Sequence, residues 1–139
     1  SVPFAKPAAK QVIKTSDALT IVDMMTSVTE PGGTATLAAI DGYRVAGKTG
    51  TARRTNPKGG YYDDQYRTAF VGIAPASNPR FVVAIMVEDP RVDKFGGLVA
   101  APVFRSVMKK ALRLYNVPFD KPLSGKETTA ASIESVNDL

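Results

Sequence analysis

The sequence predicts an α+β fold in which helices flank an antiparallel sheet. Three segments of strand composition follow one another over about 43–88, separated by turns rich in Gly, Pro and Asn. Apolar residues recur at helical spacing on either side of them, over about 17–29 and from Pro102 onwards. With 139 residues, 44% of them hydrophobic and 22% charged, the chain has the composition of one globular domain or part of one.

The composition excludes several kinds of chemistry. The chain has no His and no Cys, so it cannot build a zinc site, a cysteine nucleophile, a disulfide or a Ser-His-Asp triad. Its net charge of +5 favours anionic partners, carboxylates as readily as phosphates. The longest apolar runs fall short of the roughly 20 residues that a membrane span needs. We therefore expect any anchor or export signal to lie outside this sequence.

The first elements are an extended lead-in and one helix. Residues 1–15 show no clear periodicity and contain two Pro. Thr15 or Ser16 is the expected N-cap of an amphipathic helix over about 17–29. Its predicted apolar face consists of Ala18, Ile21, Val22, Met25 and Val28. Glu30-Pro31-Gly32-Gly33 ends this helix.

The next elements form a predicted three-stranded antiparallel meander. The first strand begins at Tyr43 and runs to about Ala52, and a long hairpin connection follows over 53–65. The second strand covers 66–74, and the third covers 80–88 after a turn rich in Pro. Because the apolar run within the third strand does not alternate with polar residues, we expect both of its faces to be buried.

The last predicted element is a helix that begins at Pro102 and lies flat on the sheet. A loop over 89–100 precedes it. Its broad apolar stripe consists of Val103, Phe104, Val107, Met108, Ala111, Leu112 and Tyr115. After Pro118 the sequence turns polar, so residues 1–119 are expected to hold the fold and 120–139 a polar C-terminal tail.

Residues 42–49, GYRVAGKT, match the phosphate-loop pattern G-x-x-x-x-G-K-[ST]. That pattern works when a helix follows it, because the phosphate cradle uses free amides at a helix N-terminus. Here strand-forming residues fill the motif, and Gly50, Pro57, Gly59 and Gly60 leave no room for a helix. A P-loop ATPase is therefore the least favoured interpretation.

A second motif, Lys48-Thr49-Gly50-Thr51, overlaps the end of this match and lies on the predicted first strand. Lys48 and Gly50 would point to one side of it, and Thr49 and Thr51 to the other, unless a twist of the strand brings both rows to the rim of a cleft. An ammonium group and two hydroxyls suit a carboxylate, Gly50 lets a ligand approach the backbone, and the Thr51 amide can donate to an oxyanion. The alternative is an ordinary edge strand with an exposed lysine.

The wider stretch resembles the C-terminal part of the transpeptidase domain of class B penicillin-binding proteins, and most closely the cell-division type, penicillin-binding protein 3. The resemblance covers about residues 12–119. It depends on VAGKTGTA, GIAPASNPRFVVAI and FGGLVAAPVF in this order. It implies the fold of penicillin-binding proteins and serine β-lactamases, with further strands and a helical subdomain supplied by sequence before Ser1. The 81–87 strand and the last helix would then lack part of their cover in this chain.

The resemblance also implies a mechanism. These proteins acylate a serine with the penultimate D-Ala of a peptidoglycan stem peptide and pass the acyl group to an amine on a neighbouring strand. β-Lactams resemble the substrate and stall the enzyme as an acyl-enzyme. By this resemblance Lys48 assists proton transfer, and Thr49 and Thr51 bind the carboxylate beside Gly50. The Thr51 amide is one oxyanion donor. Arg53 adds attraction for the same carboxylate.

Phe95 and Gly96 match the family loop that borders the cleft, although Lys94 stands where a Tyr is usual. The hairpin offers a different interpretation, because three Tyr lie among Arg and Lys there, as in a nucleic-acid surface. Asp63 and Asp64 interrupt it, so a solvated hairpin is favoured and no nucleic-acid partner is expected.

The family's other two motifs, S-x-x-K and S-x-N, also have matches, at Ser106-Val107-Met108-Lys109 and Ser135-Val136-Asn137. In the family both motifs precede the lysine strand, whereas these follow Lys48. We interpret Ser106 as a solvated helix residue and Ser135 as part of the tail. The nucleophile should then precede Ser1, so residues 1–139 alone should be inactive and should aggregate or fail to label with fluorescent penicillin.

The resemblance implies a septal peptidoglycan D,D-transpeptidase without a cofactor, anchored in the bacterial inner membrane and facing the periplasm. Its partners would be stem peptides ending in D-Ala-D-Ala, β-lactams, the rest of the transpeptidase domain and other division proteins. A non-catalytic β-lactam or peptide sensor of the same fold is the alternative.

Overall fold

A computed structural model describes residues 10–124 of the chain. It contains two helices, three strands and one 3₁₀ turn: α1 Thr15–Thr26, the turn Thr36–Ala38, β1 Ala46–Thr55, β2 Tyr61–Ala74, β3 Phe81–Glu88 and α2 Gly96–Leu114. Most of the predicted lead-in and the Ser135 motif lie outside the described residues. No helix within 10–124 is long and apolar enough to cross a membrane.

The three strands form an antiparallel sheet in the order β1-β2-β3, which confirms the predicted meander. Lys48 pairs with Val71 and Thr51 with Thr68 across β1 and β2. On the other side of β2, Phe70 pairs with Ile85 of β3. The predicted motif strand therefore lies at one edge of the described sheet.

The hairpin between β1 and β2 is tighter than predicted. Pairing continues to Thr55 opposite Tyr61, so the prediction of a long connection over 53–65 is wrong and the loop covers only 56–60. Gly59 and Gly60 have φ of +104° and +73°, a conformation that glycine adopts without steric cost. Asn56-Pro57 and Gly59-Gly60 thus form the turn of the hairpin, while Thr55 and Tyr61 on either side of it still pair.

The bounds of α1 and β1 also differ from those predicted. Lys14 is the N-cap of α1 and makes no side-chain capping bond, and Thr15 and Ser16 lie inside the helix. The hydroxyl of Ser16 donates to its neighbour Asp17 and caps no backbone amide. β1 begins at Ala46 instead of Tyr43, because the Tyr43 amide closes a tight turn onto the Ile40 carbonyl.

Burial in β3 alternates along the strand, so the prediction that both faces are buried is wrong for the described residues. Phe81, Val83 and Ile85 pack against the core, whereas Val82 and Met86 are 68% and 62% exposed. The reason is that α2 packs on one face of β3, and no other described helix contacts β3. This open outer face agrees with the incomplete cover that the resemblance implied.

The core lies between α2 and the inner face of the sheet. Phe70 of β2 and Phe104 of α2 meet edge to face, with ring centroids 4.8 Å apart, and both are fully buried. Gly72 makes room for this contact, because a Cβ there would lie 2.5 Å from the Phe104 ring. Met108 and Leu112 continue the buried stripe, which confirms that the helix lies on the sheet.

α2 begins at Gly96, earlier than the predicted start at Pro102, which lies inside the helix. The amides of Leu98 and Val99 donate to the Phe95 carbonyl at 3.0 and 3.1 Å and form the first turn. Pro102 is the seventh residue of α2, so the helix lacks the hydrogen bond that an amide there would donate to the Leu98 carbonyl. The first turn of α2 therefore consists of residues that were predicted to belong to the loop over 89–100.

Residues 117–124 fasten the end of the described chain to the turn before β1. The Tyr43 hydroxyl donates to the Val117 carbonyl at 2.6 Å. The Asp120 carboxylate accepts the Arg44 amide at 2.8 Å and the Ser77 hydroxyl at 2.7 Å. The predicted boundary between 1–119 and a polar tail stays a prediction, but 120–124 make specific contacts with the fold.

We expect Asp120→Ala to lower the free energy of unfolding of the full-length protein by about 1–3 kcal/mol, because it removes an acceptor shared by two segments. Thermal melting measures the change. Lys121→Ala is the matched control, since it removes a charge from the same segment without removing that acceptor. Equal melting temperatures for the two variants would contradict this role of Asp120.

Candidate functional site

The predicted motif lies on β1, as expected. Lys48, Thr49, Gly50 and Thr51 pair in register with four consecutive residues of β2, from Val71 back to Thr68. No helix follows Lys48, so the amides that a phosphate cradle requires are absent from this position. The P-loop interpretation is therefore wrong for residues 42–49.

The register assigns the motif residues to the two faces of the sheet. Thr49 and Thr51 lie opposite Phe70 and Thr68, two of the four buried residues on the inner face of β2. Lys48 alternates with them and lies on the open face of the sheet, where it is exposed. Its ammonium group donates to the Thr49 carbonyl at 2.9 Å. The predicted alternation of Lys48 with the two threonines is thus present in β1.

The first residues of α2 pack directly on the motif strand and its neighbours. A Cβ at Gly96 would lie 2.2 Å from the Ala69 carbonyl oxygen and 3.1 Å from that of Gly50. At Gly97 it would lie 1.9 Å from the Thr34 carbonyl oxygen. These contacts leave no space for a side chain. The predicted site residues Gly50 and Gly96 are therefore brought together, and Phe95 lies beside them with 56% of its surface exposed.

Two hydroxyls converge on one carbonyl of this loop. The Lys94 carbonyl accepts a hydrogen bond from Thr51 Oγ1 at 3.3 Å and another from Thr68 Oγ1. The Lys94 ammonium lies 5.0 Å from the centre of the Tyr66 ring and 5.7 Å from that of Phe95, both within cation–π range. The position where the family usually has a Tyr therefore holds a cation beside two aromatic rings.

Sequence reasoning missed Thr68, which is fully buried and contributes one of these two hydroxyls. Thr68 lies directly opposite Thr51 in the β1-β2 register. Cross-strand threonine pairs interact in antiparallel sheets. The β1-β2 register would have identified Thr68 as the partner of Thr51. That register was not predicted, because the predicted hairpin connection is too long.

Arg53 lies two residues beyond Thr51 on the same face of β1. Its guanidinium is 3.6 Å from the Asp63 carboxylate, and that side chain is fully exposed. An exposed ion pair of this kind contributes little, so Arg53 can exchange Asp63 for another carboxylate at small cost.

The other arginines of the hairpin are paired with an acid. Arg67 and Arg54 lie 2.6 and 3.7 Å from the carboxylate of Glu88. These pairs neutralise part of the basic surface that a nucleic acid would contact. They also give Glu88 a role within the sheet, although its position at the end of an apolar strand resembles that of a magnesium-binding acid.

The first of the two motif matches that follow Lys48 lies away from the core. Ser106 and Lys109 are exposed on α2, whereas Phe104 and Met108 of the same helix face the sheet. Ser106 is therefore a solvated helix residue, as expected.

The family model described as the penicillin-binding protein transpeptidase domain matches residues 4–109. The chain is 45% identical over 123 residues to a probable peptidoglycan D,D-transpeptidase, PenA, of Neisseria flavescens, covering 88% of this chain and 30% of that protein.

Two solved structures of penicillin-binding protein 3 are similar. For the apo transpeptidase domain from Burkholderia pseudomallei, the TM-score is 0.74 and the identity 41%, over 88% of this chain and 37% of that one. For the Mycobacterium tuberculosis protein in complex with ampicillin, the TM-score is 0.67 and the identity 39%, over 78% of this chain and 27% of that one. This chain spans well under half the length of each protein.

Proposed function

Because this chain belongs to the penicillin-binding protein transpeptidase family, we propose that it is the C-terminal part of a peptidoglycan D,D-transpeptidase that works through a serine acyl-enzyme. The observation that carries the proposal is Lys48-Thr49-Gly50-Thr51 on an edge strand, with the Phe95–Gly96 loop packed beside it. The serine nucleophile lies in sequence before Ser1.

In this proposal the chain supplies one wall of the active site, because the twist of the edge strand β1 brings Lys48 from one face and Thr49 and Thr51 from the other to the rim of the cleft. The Lys48 ammonium assists proton transfer at the serine and holds positive charge beside it. The Thr49 and Thr51 hydroxyls donate to the carboxylate of the terminal D-Ala or of a β-lactam. The Thr51 amide donates to the oxyanion that forms when the serine oxygen attacks the carbonyl carbon. The carbon–nitrogen bond then breaks, and D-Ala leaves with a proton.

The setting of the reaction is part of the same proposal. The substrates are stem peptides ending in D-Ala-D-Ala, and β-lactams act as inhibitors, in line with the ampicillin complex of the Mycobacterium tuberculosis relative. The open face of the sheet, with Val82 and Met86, contacts the remainder of the transpeptidase domain. The protein acts at the division septum with other division proteins, anchored in the inner membrane with this domain in the periplasm.

A turnover assay separates the enzyme from the alternative, a β-lactam or peptide sensor of the same fold. The full-length protein is incubated with a D-Ala-D-Ala peptide or a thioester analogue, together with an acceptor amine. We expect repeated release of D-Ala or thiol and formation of the cross-linked product. Acylation by penicillin without any turnover would identify a sensor and refute the proposal.

We expect Thr49→Val to slow acylation of the full-length protein by a penicillin, because the nearly isosteric side chain leaves the carboxylate one hydrogen bond short. The expected loss is about 1.5–3 kcal/mol, as for a hydrogen bond to a charged group. Thr49→Ser is the matched control and should have a mild effect, since it keeps the hydroxyl. Second-order acylation rates measure both variants. Equal rates for Val and Ser would exclude Thr49 from carboxylate binding.

A further inference from the structure

The Lys94 carbonyl links the loop before α2 to both strands of the β1-β2 hairpin, which carries the Lys48-Thr49-Gly50-Thr51 motif. It accepts hydrogen bonds from the hydroxyl of Thr51 on β1 and from that of Thr68 on β2. A carbonyl oxygen has two lone pairs, so it can accept both bonds at once. Thr51 is exposed, whereas Thr68 is fully buried and out of reach of a ligand.

The bond from Thr51 conflicts with the role proposed for Thr51. A hydroxyl has one proton to donate, and an ionised carboxylate can only accept. Thr51 therefore cannot donate to Lys94 and to a substrate carboxylate at the same time. To bind the carboxylate it must turn its hydroxyl away from the Lys94 carbonyl.

We propose that Thr68 is a positioning residue that keeps the Lys94 carbonyl hydrogen-bonded when Thr51 turns its hydroxyl to the substrate carboxylate. This inference rests on the proposed function. The loop stays fixed through the exchange, because Gly96 packs on the carbonyls of Ala69 and Gly50 and the Thr68 bond remains.

Without the Thr68 hydroxyl, Thr51 is the remaining one of the two side-chain donors to the Lys94 carbonyl. Each turn of Thr51 toward a carboxylate would then leave that carbonyl without a protein donor, which costs free energy. The penalty falls on ligands whose carboxylate draws the Thr51 hydroxyl away. It is smaller for a ligand without that charge, because charge-assisted hydrogen bonds are roughly twice as strong as neutral ones.

The test compares Thr68→Val with the wild type in the full-length protein, using a penicillin and the methyl ester of the same penicillin. We expect Thr68→Val to lower the second-order acylation rate by about 3- to 10-fold for the acid, as for the loss of one hydrogen bond. For the ester the rate should change less than about 2-fold, because the neutral group competes weakly for the Thr51 hydroxyl. Thr68→Ser keeps the hydroxyl and should restore the wild-type rate with the acid.

Two further variants keep the test decisive. Thr68→Ala is measured alongside and takes the place of Thr68→Val if that variant does not fold. Thr29→Val is the matched control, because Thr29 is another buried threonine, whose hydroxyl donates to the Val45 carbonyl at 2.9 Å. Thr29→Val should lower the melting temperature, but it should not lower the acylation rate more for the acid than for the ester.

An equal loss with acid and ester, or no loss with either, would overturn the positioning role of Thr68 while leaving the proposed function intact. A wild-type protein that neither ligand acylates would instead overturn the proposed function, and the role of Thr68 with it.

Discussion

Lys48→Ala is expected to slow acylation of the full-length protein by about 10²–10⁴-fold, the range for loss of a group that transfers a proton in the transition state. Lys48 lies on an edge strand, where its ammonium donates to a backbone carbonyl of its own strand and to no acidic side chain among residues 10–124. In the proposed active site, its charge is therefore available to the serine nucleophile. Second-order acylation rates with one penicillin measure the effect, after thermal melting has shown that the variant folds.

Ser106→Ala is the control for this experiment and should leave the acylation rate unchanged. Ser106 belongs to an S-x-x-K match and yet lies exposed on α2, away from the helix face that packs on the sheet. A Ser106→Ala variant that folds but is not acylated, beside a Lys48→Ala variant that reacts normally, would refute the assignment of the site.

Phe104→Ala is expected to lower the free energy of unfolding of the full-length protein by about 3–5 kcal/mol. Phe104 is fully buried, meets Phe70 edge to face and fills the space above Gly72. The truncation removes these contacts and leaves a cavity between α2 and the sheet. Denaturant unfolding, followed by a probe within this domain, measures the change.

Val103→Ala is the matched control, since Val103 precedes Phe104 on the same helix and is 45% exposed. We expect a loss well below that of Phe104→Ala, because less apolar surface is buried there. Similar losses for both variants would show that the inner face of α2 does not dominate the core.

The sequence predicted the site strand and the meander because both depend on local signals. Strand-forming residues fill the phosphate-loop match, and the glycines and prolines after Lys48 exclude a helix. The order of the motifs argued against Ser106 as the nucleophile, and the apolar stripe of the last helix predicted Ser106 to be a solvated helix residue. The roles of Lys48, Thr49, Thr51 and Arg53 stay predictions.

Elements whose limits depend on distant contacts were not predictable in the same way. α2 begins at Gly96 because its first turn fits against the carbonyls of Ala69 and Gly50, which are remote in sequence. The length of the hairpin depends on cross-strand pairing between 53–55 and 61–66 that turn residues do not reveal.

By itself, then, the sequence determined the residue types of the site, their alternation along one strand and the family to which the chain belongs. The tertiary structure decided which groups meet there. Thr68 and the Lys94 carbonyl join Thr51 because β1-β2 register and loop packing bring together segments 17 and 43 residues away from it. Local propensities act over a few neighbouring residues, whereas these contacts form only when the whole sheet and α2 have assembled.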